Sequence, residues 1–288
     1  PKGDLRIDKA VLFTFPEEDL MIIEHDWETI MQKVRDGRAH EITEGDTLYL
    51  AACTKGANAS SVRQQPFSDI LAKQRAYSLK STYMTQILRK YVFGIEEDER
   101  IVKDWHTLVH ASFEEHLIER LSPYYGKTQR ELKQLFEIEK SPKNLNDILL
   151  GKMLGIHGRI AQTDEFKKAG IVPKTIRVRR DGTIKECMSF PPFDFIKLSQ
   201  ETEWEESEFY NYLAPTKFLF VIFQENANGE LVFERVQFWN IPVSDLEEVG
   251  RVWKRTVDTI RRGVVLRETA RGVRNDLPKQ SESRVAHV

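Results

Sequence analysis

The chain has 288 residues, 40% hydrophobic and 31% charged, with a formal net charge of −2. This balance fits one large or two ordinary globular domains and excludes a disordered or uniformly basic chain. The longest purely apolar run, Phe218 to Phe223, is too short to span a bilayer, and no charged-then-apolar leader opens the sequence. Two cysteines, Cys53 and Cys187, suit a reducing cytoplasm better than a disulfide scaffold. The chain opens on Pro1 and closes on Ser283 to Val288, which reads as a strand, so a cytoplasmic fragment of a longer protein is expected.

In chain order, Lys9 to Phe15 reads as a strand closed by Pro16. Asp26 is placed to N-cap a helix from Trp27 to about Asp36, with Ile30, Met31 and Val34 on one face and Gly37 as the stop. Short strands are expected at 39–42 and 47–53, then a polar loop. A helix opening at Ser81 or Thr82 carries the apolar stripe Tyr83, Met84, Ile87, Leu88, Tyr91 and Val92, ended by Gly94. The acidic run from Glu96 reads as a linker. Ser112/Glu115 and Thr128/Glu131 have capping-box spacing, so helices are predicted over 113–122, 129–138 and 144–155. Asp181-Gly182 suits a turn between strands 171–179 and 183–190, and Asn228-Gly229 one between 216–224 and 230–239. Ser244 to Glu247 reads as the cap of a last helix running to about Arg262. Trp204, among Glu203, Glu205 and Glu206, reads as part of a solvated acidic loop. That last helix echoes the first: Trp27 and Gly37, like Trp253 and Gly263, stand ten positions apart, which suggests an internal repeat.

The segment Cys53 to Gly94 concentrates charge. It holds Lys55, Arg63, Lys73, Arg75, Lys80, Arg89 and Lys90 against one acid, Asp69, hence +6 against −8 for the remainder. Small residues from Gly56 to Ser61 sit between a strand and these cations, where they allow the backbone to approach a groove. A phosphate backbone and base edges call for this combination, so duplex DNA is the expected partner.

Other chemistry is poorly supported. Strand-borne nuclease sites place an Asp, then Glu-x-Lys, on one sheet face around Mg²⁺. The nearest pattern is Glu165 with Lys174, where the position two before the lysine is Val172. Glu131 and Lys133 have the spacing but lie on a predicted helix. His106 and His110 have a helical chelate spacing without further ligands, and no phosphate-binding or dinucleotide glycine motif is present.

His25 to Glu28, Gly37, Tyr49-Leu50, Lys55 to Ala59, Ser78 to Lys80 and the helix Tyr83 to Val92 together resemble the carboxy-terminal half of the MutH mismatch-repair endonuclease fold. Thr54 to Ser61 and Ala72 to Ser81 look closer to the two-domain, MutH-like type II restriction endonucleases that cut at GATC, the Sau-three-A type. The resemblance is strong over 20–94 and weak over 112–288.

It implies a mixed α/β, restriction-endonuclease-like fold, a mixed sheet flanked by helices, duplicated with the first copy truncated. Residues 1–97 would be the end of a catalytic-type unit, 98–111 a linker, and 112–288 a second, catalytically degenerate DNA-binding and allosteric unit. The resemblance assigns DNA contact to Lys55, Asn58, Ser60, Arg75, Ser78 and Lys80, with Lys55 matching the lysine that reads the target. Two departures alter readout: Cys53 stands where MutH has an arginine, and Ser78 where it has a tyrosine. The catalytic Asp and Glu-x-Lys would lie upstream of residue 1. The degenerate positions of the second unit fall on Gly151, Glu165 and Val172, with Lys174 retained. The intact parent would thus be a Mg²⁺-dependent nuclease of a restriction-modification system that could dimerise on DNA, and this chain alone would not cut. The alternatives are a nickase of hemimethylated GATC in mismatch repair and a noncatalytic DNA-binding remnant.

Overall fold

The computed structural model describes residues 6–56, 61–95, 98–184, 186–270 and 272–287. Residues Lys9 to Phe15 form no strand. They have no ladder partner and are held by Phe13 against Tyr91 (ring centroids 4.8 Å) and Phe15 against Tyr83 (6.3 Å). Pro16 opens a helix rather than closing a strand. α1 spans Glu17–Arg35, with Glu17, Glu18 and Asp19 in its first turn and Lys33 and Arg35 in its last, charges that complement the helix dipole.

Asp26 therefore lies inside α1, not at its start. Its buried carboxylate crosses to the chain 22 residues on. Oδ1 accepts the amide of Leu48 at 2.7 Å, and Oδ2 accepts those of Tyr49 and Leu50 at 2.6 and 2.8 Å. Burial pushes this carboxyl up while the three amides pull it back. Gly37 ends the helix at φ +71°, and a Cβ there would meet the Phe67 carbonyl oxygen at 2.5 Å.

A 3₁₀ turn, Ala39–Glu41, stands where a strand was expected, and a second, Glu44–Asp46, follows it. β1 (Leu50–Thr54) follows. The expected polar loop is instead largely β2 (Val62–Gln65), β3 (Ser68–Lys73) and β4 (Arg75–Leu79). β1 pairs antiparallel with β4, and β2 with β3. α2 (Ser81–Ile87) continues through a π-helical turn, Leu88–Val92.

Both capping boxes form as spaced. Ser112 opens α3 (Phe113–Leu121) and Thr128 opens α4 (Gln129–Leu135), each hydroxyl accepting the amide of the glutamate three residues on. α5 (Leu145–Met153) and α6 (Asp164–Ala169) lead into β5 (Ile171–Val178). After α7 (Phe195–Gln200) and α8 (Glu208–Leu213) come β6 (Lys217–Glu225) and β7 (Leu231–Trp239). β6 pairs parallel with β5 and antiparallel with β7, a small mixed sheet. Among the described residues of the expected strand 183–190, only a bridge from Ile184 to Val178 forms. α9 (Val243–Arg262) starts after Pro242 without a side-chain cap, so Ser244 is inside it. β8 (Arg267–Thr269) and β9 (Gly272–Arg274) form a hairpin, and residues 283–287 form no strand.

β6 alternates between two cores. Leu219, Val221 and Phe223 enter the main core with Tyr49, Tyr83, Leu117, Leu132, Leu150 and Phe166. Phe218 and Phe220 face Phe190, Trp204 and Trp239. Trp204 is not in a solvated loop: it packs on Trp253 (5.6 Å), and a Cβ on Gly250 would lie 2.8 Å from its ring.

The main core draws on both sides of residues 98–111, and within that stretch Ile101, Val102 and Leu108 are themselves buried. Polar ties run alongside. Lys168 Nζ contacts Asp19 at 2.8 and 2.9 Å, the Tyr83 hydroxyl donates to Asp19 at 3.0 Å, and Asn240 Nδ2 donates to Thr43 Oγ1 and Asp46 Oδ1 at 2.9 Å. The two tryptophans of the suggested repeat differ in setting, Trp27 being 42% exposed and Trp253 7%.

Replacing Asp26 with alanine strips acceptors from three successive amides, two of them on buried residues. The expected loss is about 3 kcal/mol or more, read from the urea midpoint; a loss below about 0.5 kcal/mol would contradict this role.

Candidate nucleic-acid interface

Asp26 fixes where β1 begins, and β1 delivers Lys55. The β1–β4 ladder ends at Thr54 opposite Arg75, after which Lys55 N donates to Gln74 O at 2.7 Å and Gln74 N to Ser61 O at 3.1 Å. These two bonds close the base of the loop after Gly56. Lys55 is exposed there. Asn58 and Ser60 lie outside the described residues. Ser78 is half-buried on β4 opposite Ala51. Its neighbour Tyr77 is exposed, its hydroxyl 3.5 Å from Met31 Sδ; it is an aromatic beside the expected contact position that was not among the expected site residues.

Two of the expected DNA contacts point inward instead. Arg75 donates through Nη1 to Ala52 O at 2.7 Å and through Nη2 to Ile42 O, and burial pulls its guanidinium down. Lys80 is buried, donating to Thr47 O at 2.6 Å and to Pro215 O at 3.1 Å. Burial, with Lys217 as a like charge nearby, brings its ammonium to about 8. Lys73 is drawn to Glu205 at 2.6 Å, and Lys90 lies over the Tyr91 ring at 5.2 Å. The cations of the segment that stand exposed are Lys55, Arg63 and Arg89. Arg75 and Lys80 thus brace the strands behind the loop: each gives its hydrogen bonds to carbonyls that the fold must satisfy anyway.

The positions that the resemblance marks as degenerate, Gly151, Glu165 and Val172, do not supply a set of acids. Gly151, in α5, offers no side chain. Glu165 is buried in α6, where its oxygens accept the amides of Ile101 and Val102 at 3.1 and 2.8 Å, and burial raises its carboxyl. Val172 packs near Phe190 and Phe218 on the other core, and Lys174 on the same strand donates to Ser189 O at 2.8 Å. One position without a side chain, one apolar residue and one carboxylate already engaged do not fit Mg²⁺. Among the described residues no group of three or more His, Cys, Asp or Glu is placed to hold a metal. His106 bonds Asp104 at 2.8 Å and stacks on Trp105. No helix among the described residues is long and apolar enough to cross a membrane.

Because the folded-state value of Lys80 lies below the 10.5 of an exposed lysine, the unfolded chain binds more protons between about 8 and 10.5, and stability rises with pH across that window. The chain should therefore gain stability relative to Lys80→Met as pH rises from about 8 to 10, measured by urea midpoints; a relative loss there would contradict the buried placement.

The chain is 40% identical to the type II restriction enzyme Sau3AI of Staphylococcus aureus, over an alignment of 310 positions that takes in the whole chain and 63% of that enzyme. It is 30% identical over 97 residues to the DNA mismatch repair protein MutH of Shewanella baltica strain OS155, covering 33% of this chain and 43% of that protein. The MutH of Shewanella sp. strain MR-7 is 27% identical over the same length. No family model matches the chain.

Proposed function

Because the chain fits the MutH-like restriction endonuclease family, we propose that the intact protein is a type II restriction endonuclease that cuts double-stranded DNA at GATC with Mg²⁺, in the cytoplasm, as part of a restriction-modification system. The likeness that runs through the whole chain supports this reading. In it, the present chain binds duplex DNA and does not cut. Lys55 reads the target from the end of β1, with Asn58 and Ser60 in the same loop and Ser78 on β4. Arg75 and Lys80 act behind them as braces. Residues 112–288 form a second MutH-like unit that binds DNA and modulates cleavage, and two copies assemble on DNA. The metal-binding acids belong to polypeptide outside this chain, since Gly151, Glu165 and Val172 do not suit the ion. A mismatch-repair nickase has the support of a likeness over a third of the chain only. Nicks rather than double-strand breaks from the intact protein would favour it.

Titration of the chain with GATC-containing and scrambled duplexes at several salt concentrations tests the proposal. Binding should weaken with salt. Lys55→Ala should reduce the preference for GATC by about 1–3 kcal/mol, the worth of one good base contact. Salt-independent binding, or Mg²⁺-dependent cutting by this chain alone, would sink it.

A further inference from the structure

The β8–β9 hairpin is built against its own electrostatics. Arg267 and Arg274 are direct cross-strand partners. Side chains so placed stand on one face with Cβ atoms about 5 Å apart, and like charges in that position destabilise a ladder. Among the described residues no acid relieves them. Asp276, two residues on, is committed to the Val265 amide and to Arg262, both at 2.9 Å. Glu282 is engaged by Arg255 at 2.9 Å. Glu268 is paired with Val273, on the opposite face of the ribbon. Among the described residues neither arginine has an acidic partner.

The hairpin is exposed along both strands, and Leu266 and Val273 are 68% and 63% exposed beside the arginines. A two-stranded ribbon with little to pack on is marginal in water. Repulsion within it lowers its stability further, and a local conflict of this kind marks a functional site more often than a defect.

We propose that the β8–β9 hairpin is a phosphate-backbone contact for duplex DNA, separate from the Lys55 loop, with Arg267 and Arg274 each taking a backbone phosphate. A backbone phosphate at each guanidinium offsets their mutual repulsion and orders the ribbon, and a two-stranded ribbon has the width to follow a DNA groove. The inference rests on the DNA-binding reading above and adds to it a second, sequence-independent surface.

The test compares the full chain with Arg267→Gln/Arg274→Gln, Arg274→Glu and Lys55→Ala in duplex titrations across a salt series. Loss of two phosphate contacts should make the slope of log affinity against log salt shallower by roughly 2, leaving the GATC preference intact. Arg274→Glu places opposite charges across the ladder, so it should keep or raise the thermal midpoint while weakening DNA binding. That opposition of signs separates a DNA contact from a merely structural role. A wild-type slope and affinity in the double variant would overturn this inference alone, provided Lys55→Ala still loses GATC preference. Failure of the unaltered chain to bind any duplex would overturn it together with the reading it rests on.

Discussion

One carboxylate sets the geometry of the strands that lead to Lys55. Asp26, inside α1, holds three consecutive amides at the entry to β1. A buried carboxylate is costly unless its oxygens are engaged, and buried amides are costly unless they find acceptors. Each need answers the other. The result pins Leu48–Leu50 to the helix, which fixes the register of β1 against β4 and therefore where Lys55 leaves the ladder. The outward position of Lys55 follows from an acid whose two oxygens are taken up by backbone amides.

Around that anchor, three of the segment's cations serve the architecture. Lys73 reaches Glu205, Lys80 reaches Pro215 O, and Arg75 bonds Ala52 O and Ile42 O. The first two bind the recognition strands to elements more than a hundred residues away. Together with Asp19–Lys168 and the Asn240 bonds to Thr43 and Asp46, they make the recognition strands and the rest of the chain share one framework. An excess of cations in a segment measures how many there are and not which way they face.

What was legible in the sequence was local. The capping boxes at Ser112 and Thr128 need only four residues each to declare themselves, and both formed. The Asn228-Gly229 turn and the strands around it are equally self-contained: Asn226 Oδ1 takes the amides of Asn228 and Glu230, both at 2.9 Å. Asp26 misled because its setting imitates an N-cap, whereas its partners lie 22 to 24 residues away. β2 and β3 went unseen because much of the ribbon is exposed, as at Phe67, Ile70 and Leu71, so no in-out alternation marks the strands. Trp204 looked solvated among its acids; the indole turns into the second core while the carboxylates stay outside. At the candidate site Lys55 was placed correctly on the surface, but the inward turn of Arg75 and Lys80 depends on carbonyls supplied by distant segments.

The inward and outward placement of these lysines can be read directly by acetylating the folded chain and locating the labels by mass spectrometry, with and without a GATC duplex. Lys55 should react in the free chain and be protected by the duplex, while Lys80 should stay unlabelled in both. Labelling of Lys80 as readily as Lys55, or a Lys55 signal indifferent to the duplex, would contradict a reading lysine presented by a buried brace.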